Sequence, residues 1–350
     1  MIDLTWISDQ LGWALSNTGC GASLCRSLAS TSDGGQSWHQ MPALPATAGT
    51  PSNSCLNAGC GVSGVRFADR LNGYLYGPDL LVTHDSGRSW QPEAAPSVEA
   101  LEPDQGTVFR VVYTSGGCPG PCDRVVQAAP AGSTNWRTLT NIPFQGIPSR
   151  GTRAELIAQA PHLYVAIYGD LAAGAGTQEA IVRRSLDGGR TWTQFRDPCL
   201  GGSSVMPDIQ VAVAFAAAPG GFLAALCAPR GNQTDQFVVT SQNSGSAWGD
   251  RHPVAGQFLG LIAAADAAHI TAGTAPSSGN GIVGYTLMAS SDGGLHWSVA
   301  VSDPERIDAN TVNAGFLGFE DVAVGRWVGD EHAIWTTHDG GLHWTRRPFS

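Results

Sequence analysis

The stretch Thr31-Ser32-Asp33-Gly34-Gly35-Gln36-Ser37-Trp38 recurs along the chain, and its copies set the architecture. Clear copies are THDSGRSW at 83–90, SLDGGRTW at 185–192, SSDGGLHW at 290–297 and THDGGLHW at 337–344. A weaker copy, SQNSGSAW at 241–248, has Asn243 in place of the aspartate and Ala247 in place of Ser or Thr. The shared pattern S/T-x-D-x-G-x-S/T-W predicts a hairpin turn. Its carboxylate accepts backbone N–H bonds and its glycine supplies a positive φ. The aspartates assigned to this role are Asp33, Asp85, Asp187, Asp292 and Asp339.

The tryptophan that ends each copy gives the length of the repeat. Trp38, Trp90, Trp192, Trp248, Trp297 and Trp344 end the six copies, and one interval, from Trp90 to Trp192, is about twice the others. Trp136, preceded by Gly132-Ser133-Thr134-Asn135, is interpreted as a seventh, degenerate copy. Seven repeats of roughly 50 residues occupy the chain and predict one domain over 1–350. The expected blades are approximately 1–42, 43–94, 95–140, 141–197, 198–252, 253–302 and 303–350.

Each repeat contains four short β-rich runs bounded by Gly, Asp or Asn. In the last repeat we expect strands A to D at 311–319, 321–325, 333–337 and 343–349. In the second we expect them at 64–67, 73–76, 80–83 and 89–92. Four antiparallel strands in each of seven repeats predict an all-β, seven-bladed β-propeller. The repeated turn then connects strands C and D.

The repeated turn resembles the Asp box (bacterial neuraminidase repeat) of sialidases, sortilin-type receptors, family 74 glucanases and the photosystem II assembly factor family. The run Phe67-Ala68-Asp69-Arg70-Leu71-Asn72-Gly73-Tyr74 also resembles an F-x-D…G-W/Y element that precedes the Asp box in the last of these families. The resemblance covers the repeats along the whole chain and implies a sialidase-like propeller. It does not imply a photosynthetic role, nor catalysis, because many propellers with Asp boxes are noncatalytic.

Charge and hydropathy exclude two classes of partner. All 19 basic residues are arginine, the formal net charge is −10, and no basic run could neutralise a row of phosphates. Nucleic acid is therefore not an expected partner. No apolar run approaches the ~18 residues that suggest a membrane-spanning helix, and we expect no membrane insertion. We expect a monomer.

The eight cysteines indicate an oxidising compartment. Six lie in close pairs with turn-forming residues between them, which predicts the disulfides Cys20–Cys25, Cys55–Cys60 and Cys118–Cys122. Cys199 and Cys227 are left as the fourth pair. No histidine lies near the close pairs, so a metal site is not expected. We expect an extracellular, cell-surface or periplasmic protein whose export signal is absent from this sequence.

The longest irregular segments fall in the predicted B–C and D–A loops, which lie on one face of a propeller. All eight cysteines lie in or beside them, so this loop face is predicted to be a rigid binding surface. A simpler role, protection of long loops from proteolysis, stays open. The candidate ligand-binding residues are Arg26, Tyr113, Arg124, Arg230 and Trp327, of which Trp327 is expected to follow strand B of the last blade.

The predicted function is an exported, noncatalytic propeller that binds a glycan or a protein through the loop face. The alternative is a carbohydrate-active enzyme, a glycoside hydrolase or lyase, which would need two carboxylates across a cleft. Candidates for those carboxylates on the loop face are Asp123, Asp170, Glu179 and Asp235. The sequence lacks the R-I-P element of sialidases, a GxSxG elbow and a phosphate-binding glycine loop. No cofactor and no metal are expected.

Overall fold

The structure is a computed structural model that describes residues 3–20, 23–45, 48, 61–77, 79–94, 97–113, 123–143, 153–168, 180–200, 210–229, 236–275, 285–303, 316–330 and 333–349. Seven four-stranded antiparallel sheets form a seven-bladed β-propeller, which confirms the predicted fold class. In each sheet the strands lie side by side in chain order. The edge strands therefore come first and last in the repeat.

The first three sheets contain twelve strands: β1 (Asp3–Trp6), β2 (Gly12–Cys20), β3 (Ser23–Thr31), β4 (His39–Gln40); β5 (Gly64–Phe67), β6 (Gly73–Tyr76), β7 (Leu80–Thr83), β8 (Gln91–Glu93); β9 (Val98–Asp104), β10 (Thr107–Tyr113), β11 (Arg124–Pro130) and β12 (Arg137–Ile142). The fourth sheet contains β13 (Arg153–Gln159), β14 (His162–Tyr168), β15 (Ile181–Ser185) and β16 (Thr193–Phe195).

The last three sheets follow the same order: β17 (Gln210–Ala218), β18 (Phe222–Pro229), β19 (Phe237–Ser241), β20 (His252–Pro253); β21 (Gln257–Ala264), β22 (Ile270–Ala275), β23 (Tyr285–Ser290), β24 (Ser298–Asp303); β25 (Phe316–Phe319), β26 (Gly325–Asp330), β27 (Ala333–Thr337) and β28 (Trp344–Pro348). A 3-10 turn at Pro219–Gly221 joins β17 to β18.

The second sheet has its first three strands where the sequence predicted them, but the last sheet corrects one strand. Strand B was expected at 321–325, whereas β26 begins at Gly325. Asp321 lies in the preceding turn, where its Oδ1 accepts N–H bonds from Ala323 at 2.7 Å and Val324 at 2.8 Å. An aspartate side chain that accepts N–H bonds from the following residues stabilises a turn and competes with strand pairing. The strand therefore starts after this turn.

The described residues divide into two compact units, which we consider separately. One consists of residues up to Val165 together with Ser185–Trp192, and the other of Ala166–Arg184 with Thr193–Phe349. In the first unit, a buried group between neighbouring sheets includes Trp13, Val65, Phe67 and Leu75, and the rings of Trp13 and Phe67 stack at 3.6 Å. In the second, a buried group is mostly aliphatic and includes Val238, Ile262 and Ile270 together with Phe222.

The turn between the third and fourth strands, which we call the repeat turn, has the hydrogen bonds that its sequence predicts. Asp33 Oδ1 accepts from Thr31 Oγ1 at 2.8 Å and from Ser37 N at 2.9 Å, while Ser37 Oγ donates to Oδ2 at 2.6 Å. Gly34 and Gly35 have φ values of 73° and 81°, the left-handed region that glycine adopts without strain. Those hydrogen bonds to the ionised carboxylate hold the pKa of Asp33 well below its ordinary value.

In the last two blades a histidine replaces the Ser or Thr donor of the repeat turn. His296 Nδ1 lies 2.6 Å from Asp292 Oδ2, and His343 Nδ1 lies 2.6 Å from Asp339 Oδ2. The hydrogen bonds from the backbone and side chain of His296 lower the pKa of Asp292 to about 2. In the weaker copy, Asn243 Oδ1 still accepts the N–H of Ala247 at 2.8 Å. The turn therefore survives both kinds of substitution.

Asp187→Ala is expected to lower the melting temperature at about pH 7 because the variant loses three hydrogen bonds to Ser185 and Thr191. The folded-state pKa of Asp187 is depressed below 3.8. Its stabilising effect is therefore present above that value and is lost as the pH falls through the lower folded-state pKa. Melting curves of the wild type and the variant should converge in acid. A difference that persists unchanged in acid would contradict an electrostatic role for this carboxylate.

A disulfide and a buried carboxylate fix the connection between the fourth and fifth blades in the second unit. Cys199 and Cys227 are bonded as predicted. Asp197, which is 1% exposed, accepts N–H bonds from Cys199 at 2.9 Å, Ala212 at 3.0 Å and Ala180 at 3.2 Å. Cys25 is also disulfide-bonded. The predicted pairs Cys55–Cys60 and Cys118–Cys122, and the side chain of Cys20, lie outside the described residues.

Candidate functional site

The structure describes five of the nine predicted candidates for binding or catalysis: Arg26, Tyr113, Asp123, Arg124 and Trp327. Asp170, Glu179, Asp235 and Arg230 lie outside the described residues, so their roles stay predictions. Three of the described candidates, Tyr113, Asp123 and Arg124, come together at the end of the β10–β11 hairpin. Arg26 lies on β3, where its Nη1 donates to Asn17 Oδ1 on β2.

Trp327 differs from the expectation. It lies inside β26 and is 0% exposed, with its ring 6.4 Å from that of Tyr285 and 5.8 Å from that of Trp335. Strand B was predicted to start at residue 321, but β26 starts at Gly325. Trp327 therefore lies within the strand, where it is paired with Trp335 on β27. Its indole fills the core of the last blade and does not reach a ligand in this arrangement.

Arg124, Glu99 and Tyr113 form a closed ionic cluster in the third blade. Arg124 Nε donates to Glu99 Oε2 at 3.0 Å, and its Nη2 donates to Glu99 Oε1 at 3.3 Å and to Tyr113 Oη at 3.4 Å. Glu99 Oε1 also accepts the N–H of Ala154, on the next blade, at 2.7 Å. The side chains of Arg124 and Glu99 are 0% and 11% exposed. Arg124 is thus a positioning residue that fixes Tyr113 and Glu99, and Glu99 in turn joins β9 to β13.

The pKa of the Tyr113 phenol is raised, which is the opposite of what a tyrosine nucleophile needs. Burial is the largest cause that raises the pKa of its phenol, the carboxylate of Glu99 adds to it, and the nearby Arg124 acts in the opposite direction. A tyrosine nucleophile needs a lowered pKa or an available base. Glu99 is already held by Arg124 and by the backbone of Ala154, so both of its oxygens have partners within the cluster.

A second group of charged residues, which the sequence did not reveal, lies on the first strands of neighbouring blades in the first unit. Arg66 on β5 bonds Asp3 on β1, with Nη1 to Oδ2 at 2.7 Å, and Glu102 on β9, with Nε to Oε1 at 2.8 Å. Asp3 Oδ2 also accepts the N–H of Val65 at 2.9 Å. Because a first strand is a sheet edge with unpaired N–H groups, a carboxylate from the preceding blade satisfies one of them.

The three side chains of this group are partly accessible, with exposed fractions of 17% for Arg66, 14% for Asp3 and 29% for Glu102. Burial raises the pKa of Asp3 and of Glu102, and Arg66 opposes this effect in both. The pKa of Arg66 is raised by its two carboxylate partners although burial alone would lower it. A charged residue at the third position of the run GVRF is the only sequence signal that could have pointed to this group.

The aromatic side chains of the described residues do not form an exposed stacking platform. The exposed large apolar residues there are aliphatic: Leu71, Leu186, Leu295, Val299 and Val322. Four of the repeat tryptophans, Trp90, Trp192, Trp297 and Trp344, bind their own turns instead, because each Nε1 group donates to the carbonyl of the glycine three residues earlier, at 2.8 to 3.2 Å. An accessible aromatic face, on which the apolar face of a sugar could stack, is therefore not among the exposed side chains described.

Within the described ranges, no group of three or more His, Cys, Asp or Glu side chains is arranged to hold a metal ion. The described part of the chain also contains no helix long and apolar enough to span a membrane.

Comparison with known proteins identifies the fold. No family model matches the chain, and no curated protein matches it. Solved structures with a similar fold include YCF48 bound to D1 peptide, which is 16% identical with a TM-score of 0.53 over 97% of this chain and 92% of that one. YCF48 from Cyanidioschyzon merolae is 13% identical with a TM-score of 0.56 over 96% and 94%. An ulvan lyase of polysaccharide lyase family 25, bound to a sulfated rhamnose–glucuronate unit, is 12% identical with a TM-score of 0.57 over 97% and 92%. At these identities the likeness concerns the fold.

Proposed function

We propose that this chain is an exported, noncatalytic binding propeller whose partner is a protein segment or a glycan, with the protein segment favoured. The observation that carries the proposal is that the accessible polar groups of the first unit are held in fixed positions by ion pairs, as at Arg66 with Asp3 and Glu102. Preorganised polar groups favour recognition because little side-chain entropy is lost on binding. The loop face predicted from the sequence lies largely outside the described residues and stays part of this proposal.

Binding is favoured over catalysis by the state of the described carboxylates. Glu99 is bound by Arg124 and the Ala154 N–H, and the aspartates of the repeat turns are used within their own turns. A glycoside hydrolase needs a proton-donating carboxyl group and a second carboxylate across an open cleft. Among the described residues, the carboxyl groups with raised pKa, Asp3 and Glu102, share one arginine instead of facing each other across a cleft.

A protein partner is favoured over a glycan because the described residues present fixed hydrogen-bonding groups without an exposed aromatic ring. Both kinds of ligand occur on this fold, since one similar structure is YCF48 bound to D1 peptide and another is an ulvan lyase bound to a saccharide. The disulfide Cys199–Cys227 supports an oxidising compartment. We propose that the protein acts there as a monomer.

The test combines a peptide-display screen, a glycan array and a panel of fluorogenic glycosides with the intact, oxidised protein. We expect peptide binding without turnover. Asp123→Ala, at the exposed end of the β10–β11 hairpin, should weaken that binding, whereas Asp187→Ala in a repeat turn should leave it unchanged. Turnover of any glycoside, abolished by changing one Asp or Glu of the loop face, would overturn the proposal and establish the carbohydrate-active enzyme. Binding of glycans alone would overturn the preference for a protein partner.

A further inference from the structure

The ion pair between Arg66 and Glu102 leaves one donor group and one acceptor atom unused. Arg66 Nε donates to Glu102 Oε1, and Nη1 donates to Asp3 Oδ2, to the carbonyl of Val65 at 2.7 Å and to that of Leu4 at 3.4 Å. Within the described part of the chain, Arg66 Nη2 and Glu102 Oε2 have no hydrogen-bond partner, and both side chains are partly exposed. From this arrangement we propose that Arg66 and Glu102 bind an uncharged carboxamide side chain of a peptide ligand. The inference rests on the proposed protein-binding function.

The covalent geometry of arginine places the unused Nη2 group at the same edge of the guanidinium as Nε, which binds Glu102. In a guanidinium group, Nε and Nη2 form one edge of a planar fork that matches the two oxygens of a carboxylate. Glu102 occupies the Nε position with Oε1 only, which leaves its Oε2 and the Nη2 group of Arg66 without a partner at the same edge of the guanidinium. A donor beside an acceptor complements an amide, whose carbonyl accepts and whose N–H donates.

The local charge selects an uncharged ligand group. The carboxyl groups of Asp3 and Glu102 share the single guanidinium of Arg66, and Glu155 on β13 adds further negative potential at Glu102. An incoming carboxylate would meet this negative field. An incoming cation would have to approach the guanidinium of Arg66. A neutral group that both donates and accepts avoids both penalties.

The site is also held rigidly before a ligand arrives. Nη1 of Arg66 is fixed by the carboxylate of Asp3 and by two backbone carbonyls, and Asp3 itself accepts the N–H of Leu4 at 2.9 Å. Nη2 therefore has one position. The Arg124–Glu99 pair offers a natural contrast, because both oxygens of Glu99 are used by the guanidinium and Arg124 is fully buried.

The experiment is a titration of the full chain, labelled with 15N-arginine, that follows the Nε–Hε signals by NMR. The probes are N-acetylglutamine amide, its acid counterpart N-acetylglutamate amide, N-acetyllysine amide and the neutral sugar cellobiose. We expect the glutamine probe to shift the Arg66 signal and leave that of Arg124 in place. Glu102→Gln keeps an acceptor for Arg66 Nε but replaces Oε2 with a donor, so it should weaken binding about tenfold, the effect of losing one charge-assisted hydrogen bond.

Equal binding to the wild type and Glu102→Gln would overturn the inference, as would stronger binding of the acid or the cation. Preferential binding of cellobiose would show that the site binds a pair of sugar hydroxyl groups, and it would overturn the inference that the ligand is a peptide. Glu99→Gln is the matched control, which should leave the titration unchanged. If the display screen yields a peptide that binds Glu102→Gln as well as the wild type, the amide site fails while the proposed function stands.

Discussion

Arg110→Met should lower the free energy of unfolding by about 3–5 kcal/mol, the usual effect of removing one partner from a buried ion pair. Arg110 on β10 is 3% exposed, and its guanidinium lies 3.8 Å from the ring centroid of Trp136 and 3.8 Å from Glu93 Oε1. Trp136 Nε1 donates to the same oxygen at 2.6 Å. Burial lowers the pKa of Arg110 to about 10, which leaves it charged at neutral pH.

The reason for this large effect lies in the degenerate third repeat. In four other blades the tryptophan donates to the glycine of its own turn, but Trp136 follows a run without the aspartate and donates to Glu93 of the preceding blade. Arg110 stacks on Trp136 and compensates the charge of Glu93. Without Arg110, the mostly buried Glu93 would keep the N–H of Trp136 as a partner but would lose its compensating charge.

Urea denaturation of a double-mutant cycle would measure this coupling. Glu93→Gln keeps an acceptor for Trp136 and removes the charge, so the double variant Arg110→Met/Glu93→Gln should recover much of the stability that Arg110→Met loses. Arg137→Met, on the exposed surface of β12, is the matched control and should change stability by no more than about 0.5 kcal/mol. If Arg110→Met and Arg137→Met lower the free energy of unfolding by the same amount, the group formed by Glu93, Arg110 and Trp136 does not stabilise the third blade.

Asp197→Ala should lower the free energy of unfolding by at least about 3 kcal/mol, because three buried N–H groups lose their acceptor. These belong to Ala180, Cys199 and Ala212, which come from three separate segments of the second unit. Arg251 Nη2 donates to the carbonyl of Cys199 at 2.9 Å and holds the same connection from another side. The carboxylate thus positions Cys199 for its bond to Cys227.

Chemical denaturation without reductant would test this expectation, with the disulfide verified by mass spectrometry. Asp250→Ala, which removes an exposed carboxylate in the same unit, is the control and should have little effect. Asp197→Asn should fall between the two because its amide keeps one acceptor oxygen. A stability for Asp197→Ala equal to that of Asp250→Ala would show that the disulfide alone fixes this connection.

The repeat turns and the number of blades could be predicted from the sequence because their interactions are local. Asp33 bonds residues two and four positions away, and the glycine conformations belong to the same eight residues. The same holds for the copies with His296 or Asn243, so sequence similarity sufficed even where the motif had changed. The Cys199–Cys227 bond was reached by elimination among eight cysteines.

The site residues were harder to predict because their partners are distant in the chain. Tyr113 and Arg124 were both candidates, and the structure places them opposite each other in one hairpin, but nothing in the sequence marked Glu99 as the partner that closes the cluster. Trp327 was expected near the loop face because strand B was placed too early, and a shift along a strand moves every side chain.

The amino-acid sequence alone specified the seven repeated sheets and their turns, because those depend on contacts within about 50 residues. The tertiary structure was needed to show that Asp3, Arg66 and Glu102 meet, since they lie on first strands of three different blades. The tertiary structure was likewise needed to show that Glu93, Arg110 and Trp136 are in contact. Charge pairing between blades depends on which side chains face each other across sheet edges, and no local pattern encodes that choice.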